Sequence, residues 1–231
     1  MTWLLGNLDL LAELTAAHLA IAAPAILVAV AASIPIGWAA NRSPKWGGPL
    51  LTALSLLYAI PSLPMLIVVP VVVGIALRSG LNMVIVLALY GIAVLVRQVA
   101  DAFASLPPAV LEAADAAGFS APRRFASVEL PLALPAIIAG IRVVVVSTVS
   151  LVTVGAFIGV RSLGTLFTDG FQRGLVSEVL TGLGATVALA LVLDALVVLL
   201  GAAATPWTRA ERRAGSRVSR ARARLEAEVA A

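Results

Sequence analysis

Cysteine is absent from all 231 residues, and histidine occurs once, as His18. Disulfides, thiolate metal sites and cysteine nucleophiles are thereby excluded. A lone histidine also excludes H-E-x-x-H and paired-histidine metal sites, and no G-x-S-x-G is present to support serine chemistry. His18 reads as a polar residue at the end of a membrane span. Lysine too occurs once: Lys45 stands between Pro44 and Trp46, not in G-x-x-x-x-G-K-[ST], so no loop here cradles ATP phosphates. Charge of either sign is scarce, at 12% of residues against roughly 25% in soluble domains. The first twenty residues hold Asp9 and Glu13 but no Lys or Arg, unlike a cleaved signal peptide with its basic start. Nothing in this inventory supports an enzyme acting alone.

What is present is apolar. Hydrophobic residues make up 61% of the chain and the mean hydropathy is +1.06, where soluble domains average roughly 45–50% apolar. The chain is therefore expected to be an integral membrane protein. Aromatics are only 5%, and long Ala, Val and Leu runs fit helices better than the strands of about 10 residues in an outer-membrane barrel. A bilayer core needs roughly 20 apolar residues of helix. Five stretches qualify, at about 17–40, 50–77, 81–99, 132–160 and 176–203. Residues 1–16 read as a short interfacial segment, 17–203 as the transmembrane domain, and 204–231 as a basic tail.

Five spans place the termini on opposite sides. One side carries Arg42, Lys45, Arg97, Arg123, Arg124 and the seven tail arginines; the other carries Arg78, Arg161 and Arg173. By the positive-inside rule the N-terminus lies outside and the C-terminus in the cytoplasm. Residues 100–131 then form a cytoplasmic loop. Within it, residues 107–119 read Pro-Pro-Ala-Val-Leu-Glu-Ala-Ala-Asp-Ala-Ala-Gly-Phe. Proline suits a first helical turn, alanine has the highest helix propensity, and Gly118 stands where a left-handed cap is expected. Glu112 and Asp115 are expected near the helix N-terminus, where the dipole favours acids. Such a helix is too short to be stable alone, and it reads either as an ordinary cytoplasmic connector or as a docking element that needs a partner's groove. A second segment, 122–127, brings Pro122, Arg123 and Arg124.

The run Glu112-Ala113-Ala114, three residues, Gly118, nine residues, Val128, one residue, Leu130-Pro131 resembles the cytoplasmic signature of ABC importer permeases, with Val128 in place of the usual Ile. The resemblance implies a type I importer permease fold, all-α, in the bacterial cytoplasmic (inner) membrane. It implies that Glu112, Ala113, Ala114, Asp115, Ala117, Gly118, Phe119 and Pro122 couple the chain to a separate ATPase. Two such ATPase subunits would bind ATP and Mg, with no cofactor or metal in this chain. The family also implies a second permease subunit, the same or different, and an extracytoplasmic substrate-binding protein, with residues 161–174 on the side that faces it.

Ile60-Pro61-Ser62-Leu63, Leu89-Tyr90 before Arg97, and Gly159 to Gly170 look like the osmoprotectant branch, whose permeases serve uptake of glycine betaine, carnitine, choline or proline betaine. Tyr58-Ala59 and Arg161-Ser162-Leu163-Gly164 depart from that branch's usual runs. Methionine-type importers share the five-span layout and are the near alternative. An ATPase-independent secondary transporter and a scaffold without transport are the rivals from other classes.

Pro61 and Pro64 remove backbone donors and disfavour α geometry at Ile60 and Leu63. Carbonyls so freed need protein or water, so Tyr58, Pro61, Ser62 and Tyr90 are candidates for lining the translocation path. Arg142 and Asp194 each lie roughly 13 Å inside a span, at 1.5 Å per helical residue. Lone charges at that depth are costly, and the two are expected to pair. Small residues spaced by four, Ala136 with Gly140 and Gly155 with Gly159, allow close helix approach. The tail reads as a topology determinant able to meet anionic lipid; it lacks a fold to present nucleic acid.

Overall fold

The computed structural model describes residues 2–207, and every element in it is helical. The tail arginines, from Arg209 onward, lie outside the described residues. A short α1 (Thr2–Gly6) leads into α2 (Leu8–Asn41). Then come α3 (Gly47–Leu57), α4 (Ser62–Val73), α5 (Gly80–Ala104), α6 (Pro108–Ala116) and α7 (Ala121–Arg124). A π-helical turn (Phe125–Glu129) joins α7 to α8 (Leu130–Val152), a 3-10 turn (Thr153–Ile158) follows, and α9 (Thr165–Gln172) and α10 (Val176–Ala204) end the fold. The first long helix starts at Leu8 rather than near residue 17. Nothing in residues 8–16 breaks a helix, so most of the residues expected as a separate interfacial segment belong to the same long helix as the first span.

Helix directions follow from where the glycines touch. A Cβ on Gly91 of α5 would lie 2.6 Å from the Ala29 Cβ of α2, and one on Gly37 of α2 2.7 Å from Val99 of α5. Residue numbers rise together along both helices, so α2 and α5 run side by side in the same direction. The chain between them must therefore cross back, and only α3 and α4 can carry it. These two helices meet at a 106° bend, so the second span is broken but complete. In the opposite sense, Gly91 meets Val144 while Gly140 meets Leu95, which sets α8 antiparallel to α5. Gly201 of α10 meets Ile138 of α8, and Arg142 of α8 pairs with Asp194 of α10, so these two are antiparallel as well. Five crossings result, with the two ends of the described residues on opposite faces.

Helix α5 is the centre: 61% of its most apolar stretch is buried, against 6% for α10. Its Leu95 and Val99 interlock with Ala29 on α2 and Ile137 and Val144 on α8, while Val96 packs with Ala40 on α2 and Leu51 on α3. By contrast α10 shows Leu191, Val192, Leu199 and Leu200 to its surroundings, as a helix facing lipid or another subunit must. Gly140 and Gly155 serve packing inside this chain, against Leu95 and Met83. Gly159 adopts a left-handed φ of 83° beside Arg78, so its glycine is needed for conformation.

Of the two residues expected to leave α geometry, Ile60 does and Leu63 does not. Leu63 is helical, because Pro64 falls within the first turn of α4, where a missing N–H is harmless. The break sits one turn earlier, at Tyr58–Pro61, with Pro61 extended at ψ 138°. Pro70, inside α4, leaves the Leu66 carbonyl without its helical donor. The buried Asn82 of α5 supplies one, its Nδ2 donating to Leu66 O at 2.9 Å and to Leu77 O at 2.9 Å. His18 is fully buried, with Nε2 3.1 Å from the carbonyl oxygen of Val149 on α8.

Candidate functional site

At the face where α2, α5 and α10 end, residues 105–129 build a compact loop. Pro107 takes the extended N-cap position and Pro108 opens α6. The helix closes with two reversed hydrogen bonds: Gly118 N–H donates to Asp115 O at 3.0 Å and Phe119 N–H to Ala114 O at 3.1 Å. This closure needs a left-handed residue, and Gly118 provides it with φ 75° and open space around its Cα. Within α6 only Ala114 is buried; Glu112, Ala113 and Ala116 are exposed, as is Ala117 at its C-cap. Phe119 is half-buried under the Arg123 guanidinium, 4.6 Å from its ring centre. Pro122 occupies the first turn of α7.

The acids of α6 do not sit in its first turn, so the helix dipole does not explain them. Asp115 instead pairs with Arg124, and Glu112 forms no ion pair among the described residues. Arg124 turns its Nε to Glu129 Oε1 at 2.7 Å. Arg124 and Glu129 are five residues apart, and the π turn between them is wound so that positions at that spacing meet. The Glu129 carboxylate is almost wholly buried, with 6% of its side chain exposed. It also accepts from Trp38 Nε1 at 2.7 Å and Arg42 Nη2 at 2.9 Å, both from the end of α2. Donating to the carboxylates of Glu129, then Asp115, pushes the Arg124 pKa up from its already high value. Phe125 packs edge-on against Trp38 at 4.8 Å and tilts against Phe103 at 6.0 Å. Glu129 is the unspecified position between Val128 and Leu130 in the sequence signature. Periodicity of 3.6 hides its link to Arg124, and the long-range partners Trp38 and Arg42 carry no local signal. An acid set into an apolar span entrance was the one visible clue.

In the broken span, Tyr58 and Tyr90 meet edge to face at 5.8 Å. The Tyr90 hydroxyl donates to the Ile60 carbonyl at the break, which satisfies backbone that helix geometry no longer serves. Tyr90 is buried, Ser62 half-buried, and Tyr58 and Pro61 are exposed. Arg142 and Asp194 form a bidentate pair, with Nε to Oδ1 at 2.7 Å and Nη2 to Oδ2 at 2.8 Å. At the opposite face a cavity of about 870 Å³ is lined by Phe157, Arg161, Phe167, Asp169 and Phe171, within or beside residues 161–174. Glu13 of α2 pairs there with Arg161 at 2.7 Å. Among the described residues no cluster of His, Asp and Glu is arranged to hold a metal.

Five crossings and a short, exposed helix at one face define a polytopic helical membrane protein with a loop free to meet a partner. The chain belongs to the family described as "Binding-protein-dependent transport system inner membrane component", which it matches over residues 29–209. It is 34% identical to the osmoprotectant import permease protein OsmW of Salmonella typhimurium, over 88% of this chain and 96% of that one. It is 29% identical to the glycine betaine/carnitine/choline transport system permease protein OpuCD of Bacillus subtilis, over 82% of each. In structure it resembles the inward-facing MetNI methionine ABC transporter with a TM-score of 0.70, 20% identity, and coverage of 85% of this chain and 94% of that one. At that identity the likeness carries the fold alone. The chain is thus an inner-membrane ABC importer permease.

Proposed function

We propose that this chain is the permease of an ATP-driven importer for a compatible solute such as glycine betaine, choline or a related quaternary amine. Relatives named for these solutes, aligned over most of the chain, support the substrate class. The coupling role rests above all on α6: a nine-residue helix, exposed on nearly every side, cannot hold itself. It is braced on this chain only at its base and offers its free surface to a partner. That partner is an ATPase, two copies of which bind ATP and Mg outside this chain.

Among the described residues Arg42, Lys45, Arg123 and Arg124 lie near the α6 face, and Arg78, Arg161 and Arg173 near the other. The basic bias, with the tail arginines added, supports a cytoplasmic α6 and an external N-terminus. A second permease subunit, equal or different, would cover part of the exposed apolar surface, and lipid the rest. The binding protein would deliver solute at the face of residues 161–174. ATP binding would move α6 with its ATPase, and the paired permeases would open outward. Tyr58, Pro61, Ser62 and Tyr90 at the break are the candidate gate, and a face of Tyr58 suits a quaternary ammonium by cation–π attraction.

The test is reconstitution with the ATPase and binding protein in liposomes. Uptake of labelled glycine betaine that requires all three components and ATP is expected. Uptake driven by an ion gradient without the ATPase would refute the reading.

A further inference from the structure

We propose that Glu129 is a positioning residue that fastens the α6 loop to the first span, so that movement of α6 carries the end of α2 with it. The inference rests on the reading of α6 as the ATPase-docking helix. Helix α6 packs mainly on α7 and the π turn, not on a span. Its firm attachment is the Asp115–Arg124 pair, and Arg124 is held in turn by Glu129. From Glu129 the contacts go to Trp38 and Arg42, which belong to the last turn of α2 and its cap. One carboxylate therefore gathers a guanidinium from each side of the joint and an indole N–H from the span. Arg42 also lies 4.6 Å above the Trp38 ring, and Phe125 packs edge-on against that ring.

Charge-assisted hydrogen bonds of this kind are short and directional, and a buried anion held by two cations resists being pulled from either. A π turn at this place fits the role, since such turns recur where a helix is bent to serve a function. The turn brings Arg124 under Glu129, and without it Arg124 would point elsewhere. Helix α2 in turn lies along α5 through the Gly37–Val99 and Gly91–Ala29 contacts. A displacement at α6 therefore reaches the central helix by two routes, directly through residues 105–107 and through Glu129.

The experiment uses the whole transporter in liposomes, comparing solute imported with ATP hydrolysed. Glu129→Gln removes the negative charge and keeps the shape. Its uptake per ATP is expected to fall about tenfold while hydrolysis stays within about twofold, as for residues along a coupling route. Trp38→Phe keeps the ring and removes one donor; a smaller fall of about threefold is expected. Because the chain has no cysteine, it can be spin-labelled at Ala121→Cys and Lys45→Cys alone before assembly with its partners. Their separation is expected to stay fixed between nucleotide-free and ATP-bound states, and to vary with nucleotide once Glu129→Gln is added.

An unchanged ratio of uptake to hydrolysis in Glu129→Gln overturns the inference. So does a label separation that already varies in the parent protein. Loss of uptake and hydrolysis together, in equal measure, assigns Glu129 a merely structural part and overturns it too. Absence of ATP-driven uptake in the unaltered transporter would instead sink the functional reading beneath it.

Discussion

The side-chain amide of Asn82 stands in for the backbone donor that Pro70 lacks, at 2.9 Å from the orphaned Leu66 carbonyl. Both Asn82 and Leu66 are buried, so no water is available to take over. Asn82→Ala is expected to destabilise the protein by about 1–3 kcal/mol, the range for a buried acceptor left unpaired. Pro70→Ala in the same background restores a main-chain N–H and should recover much of the loss. Thermal unfolding in detergent of the two single variants and the double variant measures the exchange. Equal, additive losses would mean that the amide does not serve this carbonyl.

Gly118 offers a sharper test of α6. Gly118→Val forces a β-branched residue into a left-handed conformation at a cost of about 1–2 kcal/mol, although nothing crowds the position. Because the loop is peripheral, the spans should remain intact. The expected result is normal membrane insertion with ATP-driven uptake reduced several-fold. Gly118→Asn should be milder, since asparagine tolerates that backbone. Measuring uptake against the amount of inserted protein separates the two effects.

The Arg142–Asp194 pair predicts non-additivity. Arg142→Ala or Asp194→Ala alone leaves an unpaired charge within a span, whereas the double replacement leaves none. Each single variant should lower the melting temperature more than the double variant does. A double variant less stable than both singles would refute mutual neutralisation. Reversal of the pair, with Arg142→Asp and Asp194→Arg together, should restore much of the loss.

Close helix contact makes Gly91 and Gly184 opposites. A Cβ on Gly91 would press on Ala29 at 2.6 Å, while nothing lies within 4 Å of one on Gly184. Gly91→Val is expected to destabilise by about 1–3 kcal/mol through overpacking. Gly184→Ala, in the middle of α10, should be neutral or stabilising by up to about 1 kcal/mol. Urea or thermal unfolding of each variant decides.

Hydropathy alone located all five crossings, because spans are dictated by the length of apolar helix a bilayer demands. The pairing of Arg142 with Asp194 was legible for a related reason: two opposite charges at similar depth have few other partners. The loop helix and its Gly118 cap followed from local chemistry at 107–119. Three features stayed hidden. Residues 8–16 contain nothing that stops a helix, yet the apolar run puts the start of the first span near residue 17, so the helix begins earlier than hydropathy shows. The break at Tyr58–Pro61 depends on which of several prolines lands in a first turn, and Pro64 does. Glu129 gathers Trp38, Arg42 and Arg124 through a turn of unusual pitch and across most of a domain, distances that no local pattern spans. Composition and periodicity see one element at a time; the joint exists only between elements.

Since α2 and α5 lie alongside each other pointing the same way, their seam cannot zip shut during synthesis until the broken helix pair has threaded back between them. His18 waits longer still, for its companion carbonyl at Val149 arrives only with the fourth crossing. Until then the imidazole of the nascent first helix lacks the carbonyl it meets in the finished fold, so this contact between the first and fourth crossings is among the last to form.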